Sequence, residues 1–146
     1  LCYIALDRTD DAVAYTYIQR AAELWPFNRD RLDSLAQIAQ LNRDTEGQIS
    51  AYRYALQHFH NDGYFSLKLL HFLLQQGHTD YDDMLLLGDA AVHGLPNEVN
   101  APFLRAYTLY LSGSVEAAHQ QLQACYVFPS IPDGVYQLQQ QLDASK

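Results

Sequence analysis

The sequence predicts an all-α fold built from stacked antiparallel helix pairs. Three observations predict it. Apolar residues recur at helical spacing along the chain, as in Ala14, Ile18, Ala21 and Trp25, which lie four, three and four residues apart. A longer period is superimposed. Ala21, Ala55, Ala90 and Cys125 are 34, 35 and 35 residues apart, and Ile18, Tyr52, Leu87 and Leu122 repeat those intervals one turn earlier. No stretch alternates polar and apolar residues for long, so no strand is predicted. One helix pair cannot bury its apolar face alone, so pairs at a fixed period must stack.

Residues 1–6 read as the tail of a helix stopped by Asp7 to Asp10. Thr9 or Asp10 offers the side-chain oxygen that caps the next helix, which runs to about Trp25 and ends at Pro26. Asp30 begins another, with Leu32, Leu35, Ala36 and Ala39 as its buried stripe. Residues 42–45 form the turn, and Thr45 with Gln48 fits a capping box. The following helix turns Tyr52, Ala55 and Phe59 inward, and Asn61, Asp62 and Gly63 close it. Residues 64–76 are apolar on nearly all sides, which suits a helix buried between neighbours. Gly77 ends it, and Thr79 or Asp80 caps a helix that reaches His93, with Gly94 and Pro96 as stop signals. Asn97 or Asn100 starts the next, with Pro102 acceptable in its first turn. After Ser112 and Gly113, Ser114 caps a helix whose stripe is Val115, Ala118, Leu122, Cys125 and Phe128. Pro129 and Pro132 stop it. A short last helix follows Asp133, with Val135, Leu138 and Leu142 inward and glutamines elsewhere, the polar outer face a terminal helix needs.

The recurring small residue lets two helices approach closely. The recurring prolines Pro26, Pro96 and Pro129, with His60 where a fourth falls, end each pair. This pattern resembles the tetratricopeptide repeat, a helix-turn-helix of about 34 residues. The resemblance implies a right-handed α-α superhelix over one domain, residues 1–146. It comprises a partial repeat at 1–28, repeats at 29–61, 62–96 and 97–129, and a capping helix at 130–146. Leu32, Leu35 and Ala36 match the family's large, Leu and small positions, and Tyr52 keeps its aromatic. Ala39 stands where an aromatic is usual, Gln48 where a small residue is usual, and Asp83 and Gly88 depart further. A related α-solenoid, such as a Sel1-like repeat, fits these departures too.

Composition narrows the function. Hydrophobic residues make up 49% of 146, which excludes a disordered chain. No apolar run approaches the roughly 20 residues a bilayer crossing needs. The net charge of −8 comes from 17 acidic against 9 basic residues, five of the latter before residue 45. An acidic body repels phosphate backbones, so nucleic acid is not an expected partner, whereas a basic protein segment is. Acidity also serves plain solubility. Cys2 and Cys125 lie about three repeats apart, beyond disulfide reach, and both read as buried thiols. The chain opens with Leu1 and reads as a piece of a longer protein, so its compartment is left open.

No catalytic motif is present: no G-x-S-x-G, P-loop, H-E-x-x-H or dinucleotide turn. His58 and His60 point away from each other on a helix and would chelate poorly. Asp80, Asp82 and Asp83 lack calcium-loop spacing and suit a helix start. No cofactor or metal is therefore expected. The resemblance implies instead a concave groove lined by the first helix of each pair and filled by a protein or peptide. The candidate lining is Asp33, Gln37 and Gln40; then Lys68, His71 and Gln75; then Phe103, Tyr107 and Tyr110. Asp33, Gln37 and Gln40 equally fit a solvated face, and Phe103, Tyr107 and Tyr110 equally fit the core. The family's basic clamp for a terminal carboxylate lacks its residues here, since only Lys68 is present and the facing of Arg105 is open. Beside a protein or peptide scaffold stand other readings: an accessory region of a bacterial envelope or polysaccharide machine contacting glycan or a membrane complex, docking onto a neighbouring domain of the parent chain, or a plain spacer.

Overall fold

The computed structural model describes Arg20 and residues 29–41 and 45–145. The expected partial repeat at 1–28, apart from Arg20, lies outside these residues, as do Cys2 and most of the 42–45 turn. Every regular element among the described residues is helical: α1 Arg29–Leu41, α2 Thr45–His58, α3 Gly63–Gln75, α4 Tyr81–Gly94, α5 Asn100–Leu111, α6 Val115–Gln123 and α7 Asp133–Ala144. A 3-10 turn, Ala124–Val127, continues α6. The chain divides into two compact units, Leu1–His60 and Asn61–Lys146.

In the first unit α1 packs on α2. The expected stripe of Leu32, Leu35, Ala36 and Ala39 is buried, and Ile38 joins it. From α2, Ala51, Tyr52 and Ala55 meet it, while Phe59 is half-buried. Thr45 is the first residue of α2, and Gln48, its expected capping-box partner, is buried and hydrogen-bonds the side chain of Tyr52. A polar residue at this inner position is tolerated because its amide has a partner.

In the second unit α3 pairs with α4 and α5 with α6, and α7 closes the end against α6 and α5. The helix starts are built from local chemistry. Asn61 takes a left-handed conformation (φ 56°) and Asp62 accepts a 3.0 Å hydrogen bond from the Phe65 amide, so Asp62 opens α3. Asp80 does the same for α4 from the Asp83 amide, at 3.4 Å. At the start of α5 Val99 takes the capping position without a side-chain bond, and the Glu98 carboxylate accepts from the Asn100 amide at 3.2 Å. Ser114 occupies the capping position of α6 without a side-chain bond to the helix.

Three glycines set how closely the helices approach. Gly94 ends α4, as its expected role as a stop signal requires, and it also faces Gly63, the first residue of α3. A β-carbon on Gly94 would lie 2.8 Å from the Gly63 α-carbon, and one on Gly63 would lie 2.9 Å from that of Gly94. Backbone meets backbone there. Gly88, anomalous as a mid-helix glycine, makes a slot in α4 for the stem of Arg105 on α5, 3.0 Å from where its β-carbon would be. This contact puts Met84, Leu87, Gly88 and Ala91 inward. The buried small residue of α4 is thus Ala91, and Ala90 is only half-buried. The core of α5, α6 and α7 is Ala106, Leu109, Ala118, Leu122, Cys125, Val135, Leu138 and Leu142. The stripes expected for α6 and α7 account for most of it.

Gly94→Ala forces a methyl into backbone and is expected to cost ~1–3 kcal/mol, measured by urea denaturation. Ala at the exposed Gly77 (φ 72°) meets no neighbouring atom within 4 Å and is expected to lose only the left-handed-conformation strain, ~1–2 kcal/mol. Leu122→Ala, at a fully buried position, is expected to cost ~2–5 kcal/mol.

Candidate functional site

The second unit carries two adjoining hollows on the side formed by α3, α5 and α7. The first, about 460 Å³, lies between α3 and α5. Its apolar wall is Leu67, Leu95, Phe103 and Leu104, and its polar groups are Tyr64, Lys68, His71, Glu98 and Asn100. The second, about 350 Å³, is bounded by His71, Leu74 and Gln75 of α3, Phe103, Leu104 and Tyr107 of α5, and Gly134, Gln137, Leu138 and Gln141 of α7. His71, Phe103 and Leu104 belong to both, so the hollows share a wall. Phe103 reaches that wall because Gly134 admits its ring: a β-carbon at Gly134 would sit 2.7 Å from Phe103 Cζ.

Helical spacing explains why these side chains converge. Lys68, His71 and Gln75 are three and four residues apart on α3 and all exposed, as are Gln137 and Gln141 on α7. The Lys68 ammonium lies 5.4 Å from the centre of the Tyr64 ring, a cation–π contact that holds it along the helix. Arg105 leaves the hollows altogether. Its Nε bonds Asp89 Oδ1 on α4 at 2.6 Å and its Nη1 bonds Gln121 Oε1 on α6. It ties three helices together on the other side of α5, so among the described residues of this unit Lys68 has no arginine beside it for a carboxylate clamp.

The structure brings together five of the candidates: Lys68, His71, Gln75, Phe103 and Tyr107. Tyr107 both lines the second hollow and packs against the core, whereas Tyr110 packs against the core and lines neither hollow. Asp33, Gln37 and Gln40 belong to the first unit. Gln37 and Gln40 are exposed, and Gln37 Nε2 donates to Asp33 Oδ2 at 3.1 Å. Burial raises the Tyr52 hydroxyl pKa, the Gln48 hydrogen bond lowers it, and the Asp33 carboxylate raises it, which places Asp33 near the α1–α2 seam. Sequence reasoning missed Tyr64, Glu98, Asn100, Gln137 and Gln141. The glutamines were legible as an i, i+4 pair, but they read as the outer face of a capping helix. No group of three or more His, Cys, Asp or Glu among the described residues is arranged to hold a metal ion. No helix among them is long and apolar enough to cross a membrane.

No protein-family model matches the chain, and no curated protein matches it in sequence. Solved structures do. MamA superimposes with a TM-score of 0.72 at 9% identity, covering 88% of this chain and 74% of that one. YrrB, described as a TPR protein with an unusual peptide-binding site, gives 0.68 at 16% identity, covering 85% of this chain. A MamA RS-1 ArsTM double mutant gives 0.69 at 16% identity, covering 85% of this chain and 68% of that one. The fold is a tetratricopeptide-like helical repeat. This chain spans 63% of the length of YrrB. Within this repeat fold the departures at Gln48 and Gly88 have local causes, a buried hydrogen bond and a helix contact.

Cys125 is the free thiol of the described residues, buried beneath α5, and desolvation pushes its pKa from 9.0 up to about 11. The neutral thiol is favoured in the fold, so its contribution to stability is present below the ordinary value and is lost as pH rises towards about 11. In a Cys2→Ser background, alkylation of Cys125 by iodoacetamide is expected to be slowed about a hundredfold or more while folded. It should recover the rate of a free thiol in denaturant.

Proposed function

We propose that the chain is a protein-interaction module and that its partner is an extended protein or peptide segment lying across α3, α5 and α7. The observation that carries this reading is the pair of adjoining hollows with apolar floors and amide rims. An extended strand leaves its N–H and C=O groups unpaired, and each must find a partner when covered. Gln75, Gln137 and Gln141 each present both a donor and an acceptor at the edge of the second hollow, which suits a backbone of any sequence. Phe103, Leu104 and Leu67 supply apolar area beneath. YrrB, whose fold this chain shares, is described as having an unusual peptide-binding site, which supports the reading.

The partner segment is net basic on this reading. The second unit holds nine Asp and Glu against three Lys and Arg, so its field draws cationic segments from a distance. A neighbouring domain of the parent chain could supply such a segment as readily as a separate protein. Asp33, Gln37 and Gln40 on α1 form a second candidate wall, proposed on its own footing because it lies in the other unit.

A peptide selected by display against the intact chain is expected to lose about tenfold in affinity with His71→Ala and Gln141→Ala combined. It should keep its affinity with Gln120→Ala on the exposed face of α6. Binding is expected to weaken as salt rises. Equal affinity of wild type and the double variant would refute the placement. Binding that is indifferent to salt and transferable to soluble oligosaccharides would favour the glycan reading instead.

A further inference from the structure

The first hollow carries one charge of each sign on its two walls, and this dictates more about the partner than that it is extended. Lys68 stands on α3 and Glu98 just before α5. Among the described residues Lys68 makes no ion pair and is held only over the Tyr64 ring. Arg105, the other described cation of this unit, is committed to Asp89. Glu98 spends one carboxylate oxygen on the Asn100 amide and keeps the other. The same hollow is lined by the apolar side chains of Leu67, Leu95, Phe103 and Leu104.

We propose, resting on the peptide reading above, that this hollow selects a three-part motif: an acidic residue against Lys68, a large apolar residue in the hollow, and a basic residue against Glu98. The spacing follows from geometry. Neighbouring helices pack ~8–10 Å apart and an extended chain advances ~3.3 Å per residue, so the two charges of the motif are about three residues apart. The apolar residue falls between them. A segment with like charges at both ends places one of them against its own sign, which costs affinity at either wall. The acidic field of the unit favours basic segments overall. Lys68 is the local exception that admits one acid.

The test is a display library of extended peptides with a central Leu or Phe and free choice at the flanking positions, selected on the intact chain and on two variants. Wild type is expected to enrich acid–apolar–base sequences roughly fivefold over those with two acids or two bases, as two exposed ion pairs allow. Lys68→Glu is expected to shift enrichment to base–apolar–base. Glu98→Gln, which keeps an acceptor for the Asn100 amide, is expected to lose the preference for a base while keeping that for an acid. Thermal melting of both variants checks that they are folded. If peptides are enriched and still lose affinity with His71→Ala and Gln141→Ala, but their flanking charges do not respond to Lys68→Glu, the charge motif is wrong and the peptide reading stands. If no peptide is enriched on wild type, both fall.

Discussion

How closely α3, α4 and α5 approach one another is the constraint on which the rest of the second unit depends. At Gly63 and Gly94 the two helices of a pair meet backbone to backbone, and at Gly88 a slot in α4 receives the stem of Arg105. The first contact leaves no room for a β-carbon, and at the second a β-carbon would crowd the Arg105 stem. Together they fix the position of α5 relative to the α3–α4 pair. That position presents Phe103, Leu104 and Tyr107 opposite Lys68, His71 and Gln75. A groove is useful for binding only if it exists before the partner arrives, because ordering it afterwards costs affinity. Close helix packing supplies that order here, and the Asp89–Arg105–Gln121 network reinforces it on the opposite side of α5.

The two sides of α5 therefore divide the work. One side is occupied by Arg105, whose Nε and Nη1 donors bridge α4 and α6. The other offers apolar and aromatic area with little charge. Lys68, the Lys or Arg that lines the hollows among the described residues, is held over Tyr64 rather than in a salt bridge. A side chain held by a ring keeps its charge available to a ligand, whereas one in an ion pair must first be released. The same economy appears at the seam of α1 and α2, where Gln48 and Tyr52 hydrogen-bond each other; among the described residues no buried side-chain polar atom lacks a partner.

Helix positions and most buried stripes were legible in the sequence because they follow from a local period. Leu32, Leu35, Ala36 and Ala39, or Val135, Leu138 and Leu142, need only a 3.6-residue repeat to be recognised. What could not be read are features that depend on two distant segments meeting. Gly94 read only as a stop, which it is, because nothing local reveals that Gly63 also faces it. Ala90 was chosen over Ala91 because the rotation of α4 is set by Arg105, 17 residues after Gly88. Lys68, His71 and Gln75 were found as a face of one helix, but Glu98 and Asn100 lie in a turn and Gln137 and Gln141 on a helix read as a cap. Their convergence is a property of stacking, not of spacing. Tyr107 and Tyr110 illustrate the remaining ambiguity: both fit a core stripe, and only the structure shows that one of them also lines a hollow.

The central claim is that the side made by α3, α5 and α7 is the binding face. Amide and methyl chemical-shift mapping of the isotope-labelled chain, titrated with a peptide selected against it, tests this most directly. The account predicts that the largest shifts fall on Leu67, His71, Gln75, Leu104, Tyr107 and Gln141. Shifts concentrated on the exposed surfaces of α4 and α6, around Leu86 and Gln120, would contradict it.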